Sequence, residues 1–135
     1  MTPFGEKVRQ LRRERGVTQQ DMARALGVSS AYLSALEHGR RGRPTWAMLQ
    51  RIIGYLGVIW DDAEALERLA ELSHPKIVVE TAGLSPEATR LANRLAEMIA
   101  SLDAGEVARV LAELERVAED AEARRKAKRD ARRGR

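Results

Sequence analysis

Residues Thr18 to Gly39, TQQDMARALGVSSAYLSALEHG, decide how the rest of the chain is read. Thr18 stands where an N-cap belongs, Asp21 follows three residues on to complete a capping box, and Met22, Ala23 and Leu26 form an apolar stripe. Gly27 closes this helix. Ser29 caps a second one, with Val28 in the staple position, Leu33 and Leu36 on one face, and Gly39 placed for a left-handed C-cap. Two short helices joined by a few residues that include a glycine are the signature of a helix-turn-helix.

On the N-terminal side, Thr2 and Pro3 pair as cap and first turn of a helix running to about Arg15 and stopped by Gly16. Phe4, Val8 and Leu11 fall on its inner side; Lys7, Arg9, Arg12, Arg13 and Arg15 fall on the other, where Arg9 and Arg12 read as a solvated scaffold face. On the C-terminal side, Gly39 leads into RRGRP, an arginine-rich loop. Thr45 then caps a helix whose Trp46, Leu49, Ile52, Ile53 and Leu56 are apolar nearly all round, so it is expected to be buried, Trp46 included, up to Gly57. A further helix from Trp60 or Asp61 to Leu72 carries Ala63, Leu66, Leu69 and Leu72 on one face.

Taken together, Phe4 to Val58 resembles the DNA-binding domain of the xenobiotic-response-element family, the phage Cro and repressor group. The resemblance rests on FGEKVRQLRRERGVTQ, DMARALGVS, YLSALEHGRR, Pro44 and WAMLQRIIGYLGV, with Gln19, Ala23, Gly27, Ser34, Glu37 and Gly39 at family spacing. It implies an all-α fold, a five-helix lambda-repressor-like domain over residues 1–73, whose third helix enters the major groove of double-stranded DNA. On that mapping Ser30, Ala31, Tyr32 and Ala35 read bases, while Thr18, Gln19, Ser29, Ser34, Arg40, Arg41 and Arg43 hold the DNA backbone. Gln19 sits at the positive end of the second helix, which suits a phosphate oxygen. Local hydrogen bonding is the plainer role for Ser34 and Glu37. None of the base-reading side chains is an Arg, Asn or Gln, so readout is expected to lean on thymine methyl contacts, bridging water and DNA shape.

Ser73, His74 and Pro75 break the helical pattern, and residues 74–84, containing KIVVETAGL, read as a linker or one short strand. Ser85 and Pro86 start another helix, and Asp103 caps the last, with Val107, Val110, Leu114, Val117 and Ala121 at 3-4-3-4 spacing. These make residues 85–123 a helical hairpin whose Leu91, Leu95, Ile99, Val107, Val110, Leu114 and Val117 are the expected dimer interface. The basic tail, 124–135, is expected to continue the helix through the pairs Asp120–Arg124 and Glu122–Lys126, then fray beyond Lys126.

Charge is distributed in blocks: residues 1–53 carry a net +6, residues 54–123 a net −9 and residues 124–135 a net +7. Basic ends around an acidic middle suit a polyanion met by the ends. The 135 residues include no cysteine and two histidines, His38 and His74, neither with a second ligand at helical spacing, so no metal or cofactor is expected. No apolar run spans a membrane and MTPFGEK lacks a signal-peptide core, which leads to an expectation of a soluble, cytoplasmic, nucleoid-associated protein. No nucleophile beside a base and no phosphate loop is legible, so an enzyme is not expected. The expected function is a sequence-specific transcriptional regulator acting as a homodimer on a palindromic operator. The alternative is an antitoxin-type protein of the same fold, holding a toxin through its C-terminal helices and autoregulating its operon.

Overall fold

The computed structural model describes residues 1–134, and Arg135, the last cation of the basic tail, lies outside the described residues. The described residues are all helical apart from turns and coil: α1 (Pro3–Arg15), α2 (Gln19–Leu26), α3 (Ser30–Glu37), α4 (Trp46–Leu56), α5 (Trp60–Glu71), α6 (Pro86–Met98) and α7 (Ala104–Arg133), with a 3-10 turn at Ile99–Ser101. They divide into two compact units, Met1–Val78 and the residues from Val79 onward.

In the first unit the caps form where the spacing predicts. Thr2, Thr18, Ser29 and Thr45 each accept a backbone N–H of the helix they open, and Gly16, Gly27 and Gly57 end their helices in the left-handed conformation. Each cap satisfies a donor that the first turn would otherwise leave without a partner, typically worth about 1 kcal/mol. α1 packs on α3, α4 and α5, α2 packs on α3 and α4, and α4 packs on α5. Val8, Met22, Leu33 and Ile52, one from each of α1 to α4, are fully buried at the centre. Burying side chains of this size stabilises by roughly 1.5–3 kcal/mol each, which offsets the entropy of ordering short helices that would not form alone.

Two expectations about α1 and α4 are corrected. Arg12 is buried, not on a wet face: it lies four residues after Val8, on the stripe that faces the core. Trp46 is 66% exposed instead of packed. It opens α4 where the chain arrives from the exposed arginine loop, and burial begins only with Leu49 one turn later. Leu72 is likewise exposed, because α5 ends at Glu71 and Ser73 takes the inward position.

Residues beyond α5 are tied to the start of the chain. Phe4 N–H, an orphan donor in the first turn of α1, donates to Ser73 Oγ at 2.9 Å, and Ser73 Oγ in turn donates to the Leu69 carbonyl. The stretch Ile77–Val79 is exposed coil, so of the two expectations for KIVVETAGL the linker is what the chain forms; no strand occurs among the described residues.

In the second unit, Ser85 caps α6 and a reciprocal capping box between Asp103 and Glu106 opens α7. No side chain of α6 or α7 is buried, and the apolar stripes Leu91, Leu95, Ile99 and Val107, Val110, Leu114, Val117 stand exposed. The expected fraying after Lys126 does not occur: α7 is 30 residues long and ends at Arg133. Alanines, arginines and lysines are strong helix formers, and cations in the last turns favour the negative end of the helix dipole. The expected Asp120–Arg124 pair is also replaced, because Arg116 Nη1 bonds Asp120 Oδ2 at 3.4 Å while its other nitrogens hold Glu113.

Candidate nucleic-acid interface

Positioning of α3 starts from a close approach of backbones. The Thr2 N–H and hydroxyl both donate to the Glu37 carbonyl at 3.1 Å, fastening the first turn of α1 to the end of α3. Gly5 makes this approach possible, since a Cβ there would lie 1.9 Å from the Glu37 carbonyl oxygen. Gly39, at φ +78°, turns the chain out of α3 between Thr2 and Pro75, a conformation that costs a residue with a side chain about 1–2 kcal/mol.

Beneath this junction lies a buried charge pair. Arg12 Nη2 donates to Glu37 Oε1 at 2.8 Å, and Gln19 Nε2 donates to Glu37 Oε2 at 3.3 Å. One carboxylate thus joins α1, the first turn of α2 and the last turn of α3. At the end of α2, Arg51 from α4 donates to the Leu26 carbonyl. The helix pair is therefore braced by polar groups at its turn, where Arg51 meets Leu26, and at its far end, where Gln19 meets Glu37.

The residues expected to read bases are placed unequally. Ala31 is exposed, Ser30 and Ala35 are half-buried, and Tyr32 leans onto the core with its ring half-buried. The Arg41 guanidinium stacks over that ring, 5.0 Å from its centroid. A cation held over an aromatic face is attracted by the ring quadrupole, so Tyr32 gives the arginine loop a seat on α3. Arg40, Arg41 and Arg43 are all exposed. Among the described residues none of the three makes an ion pair with an acid.

The residues expected to hold the DNA backbone mostly have a local bond as well. Thr18 Oγ1 accepts from Asp21 N–H at 3.0 Å and Thr18 N–H donates to Asp21 Oδ2 at 3.1 Å, the predicted capping box. Hydrogen bonds from the Thr18 side chain and then its backbone hold the Asp21 carboxyl below its ordinary value. Ser29 Oγ accepts from Tyr32 N–H at 3.0 Å. The Ser34 carbonyl takes the His38 ring nitrogen at 2.8 Å, while the half-buried Ser34 hydroxyl makes no bond among the described residues. Sequence reasoning missed the Arg12–Glu37 pair. Its signal was available: each charge stands four residues after a core residue, Val8 or Leu33, and the two signs are opposite.

A family model described as helix-turn-helix domain matches residues 3–67. An uncharacterized HTH-type transcriptional regulator, y4dJ of Sinorhizobium fredii, is 44% identical over 54 residues, 40% of this chain and 69% of that protein. The chain belongs to the helix-turn-helix transcriptional regulators. RghRB of Bacillus subtilis, another uncharacterized regulator of this type, is 38% identical over 65 residues, 48% of this chain and 47% of that protein. The HTH-type transcriptional repressor RghR of the same organism is 38% identical over 61 residues, 45% of each chain. The matched region thus spans just under half the length of these two Bacillus relatives. The matched residues are a helix-turn-helix domain, as the motifs implied. Among the described residues no helix is long and apolar enough to cross a membrane.

Proposed function

We propose that this regulator binds a palindromic operator as a homodimer, α3 of each protomer lying in the major groove. The observation that carries the reading is the outer face of α3, where Ala31 stands exposed with Ser30, Ser34 and Ala35 beside it, next to the exposed arginines 40, 41 and 43. Small side chains let the helix approach base edges closely, and arginines along the adjacent loop suit phosphates. Thr18, Gln19 and Ser29 hold the DNA backbone at the helix starts, and Ser34 holds it from the middle of α3. One hydrogen of the Gln19 amide is engaged by Glu37, and the second is left for a phosphate oxygen. Residues 76–123 supply the dimer contact, which the exposed apolar stripes of α6 and α7 support. Repression is the favoured sense, since one similar protein carries that name.

Binding to duplex DNA across a salt series tests this. If three arginines of each protomer neutralise phosphates, affinity falls about a thousandfold between about 50 and 200 mM salt, because counterions are released. Genome-wide occupancy is expected to return an inverted repeat with half-sites about one helical turn apart. Binding that ignores salt, or occupancy without an enriched motif, overturns the reading.

A further inference from the structure

We propose that two copies of the regulator pair through α7 in antiparallel orientation. This rests on the homodimer reading and adds its geometry. Val107, Val110, Leu114 and Val117 repeat at 3-4-3 spacing along α7 and are all exposed, Leu114 by 55%. With Ala121 they make a seam about 21 Å long, at 1.5 Å per residue. Past Ala121 the same spacing reaches Arg124 and Lys128, so the seam stops being apolar while the helix continues for twelve residues to Arg133.

Charge decides the orientation. Residues 104–122 carry six acids and two arginines, whereas residues 124–133 carry seven cations and one acid. A parallel, in-register pair sets the basic segments side by side and the acidic segments side by side, and like charges in apposition select against a partner orientation. Reversing one helix moves the basic ends apart and sets residues 124–133 of each copy opposite residues 98–107 of the other, which hold Asp103 and Glu106 and no cation. A register that sets Leu114 against Val117 and Val110 against Ala121 keeps those four positions apolar and places Val107 beside Arg124 at each end of the seam. In it Lys128 falls beside Asp103, the residue that caps α7, and Arg124 beside Glu106 in its first turn. The cations on α7 beyond Arg116 have no ion-pair partner within the described residues of their own chain, so the partner's acids are met without breaking existing pairs.

The absence of cysteine makes a direct test simple. Full-length Val110→Cys and Ala121→Cys variants, of distinguishable mass, are mixed and oxidised. The antiparallel pair gives the mixed 110–121 disulfide, and a parallel pair gives only same-residue disulfides. As a second measurement, a spin label on Ala127→Cys is expected about 35 Å from its copy in the antiparallel pair, 23 residues of rise, against about 10 Å in a parallel one. Sedimentation of the same samples separates the failures. A monomer overturns the homodimer reading and this pairing together. A dimer with same-residue disulfides and the short distance overturns the orientation alone, and a dimer that forms neither disulfide overturns the register that sets Val110 against Ala121.

Discussion

The Glu37 carboxylate is buried between Arg12, 2.8 Å from one oxygen, and Gln19, 3.3 Å from the other, so the last residue of α3 fixes both preceding helices. Removing one member strands the other. Glu37→Ala leaves the buried Arg12 guanidinium without a counter-charge and is expected to cost about 3–5 kcal/mol, a large share of the stability of so small a unit. Replacing both, as Arg12→Met with Glu37→Leu, is expected to be far milder than either single change. Urea denaturation of the three variants decides; a Glu37→Ala cost below about 1 kcal/mol would mean that the pair is solvated.

Two glycines on helices should respond in opposite directions. Gly5→Ala places a Cβ 1.9 Å from the Glu37 carbonyl oxygen, with no flexible side chain to give way, and α1 must lift from α3. A loss of several kcal/mol is expected, as for severe overpacking. Gly54, inside α4, has nothing within 4 Å of the same position. Gly54→Ala is expected to stabilise by about 0.5–1 kcal/mol through helix propensity. Thermal melts that rank the two the other way would place α1 and α3 further apart than 3.1 Å bonds from Thr2 allow.

What the sequence disclosed, and what it hid, follows from the range of the physics involved. Caps and stops depend on neighbours within four residues, so Thr18, Ser29 and Thr45 are legible, as is the helix-turn-helix itself. The Arg12–Glu37 pair joins residues 25 apart: local spacing puts each charge on an inner stripe, and only the packing of α1 on α3 brings the two together. Trp46 misled because apolar periodicity says which face is buried but not where along the helix cover begins. The length of α7 exceeds the expectation because fraying is common at termini, whereas the alanines, arginines and lysines of this segment are strong helix formers. At the proposed DNA-binding face, the roles expected of Ser30 and Arg43 come from family resemblance, since small and basic surface side chains carry no local signature of what they touch.

Reading and holding should separate experimentally. Ala31→Arg adds a bidentate donor to the most exposed position of the α3 start and is expected to change the preferred operator sequence. Arg41→Ala is expected to weaken all duplexes alike and lower the salt slope by about one unit. Because Arg41 stacks on Tyr32, Tyr32→Ala should lose part of the Arg41 effect as well, visible as non-additivity in the double variant. Selection from randomised sites at two salt concentrations checks all three. Identical preference profiles for Ala31→Arg and Arg41→Ala would remove α3 from the groove.

Acid should erode the start of α2. Asp21 titrates below its ordinary value because Thr18 bonds its charged form, so the folded state binds that proton less readily than the unfolded chain. Its contribution is complete above the ordinary carboxylate value of 3.8 and is lost as pH falls through the lowered one. The stability difference between the protein and Asp21→Ala is therefore expected to be flat near neutral pH and to shrink below about pH 4. A difference that stays constant down to about pH 2 would assign the effect of Asp21 to helix propensity instead of its charge.

Where the chain is cut determines what a truncation tests. Ending it after Leu72 would remove Ser73, whose hydroxyl accepts the Phe4 N–H, and Pro75, which packs beside Gly39, so loss of DNA binding could reflect damage to α1 and α3. Ending it after Val78 keeps the whole first unit and its buried core. That fragment is expected to melt cooperatively, to sediment as a monomer, and to bind its operator at least about a hundredfold more weakly than the full chain, because the second half-site is no longer tethered. Its salt slope should fall to about half, since one protomer's phosphate contacts remain. A fragment that stayed dimeric and bound undiminished would place the dimer contact within the first unit, and α6 and α7 would then have to be explained without it.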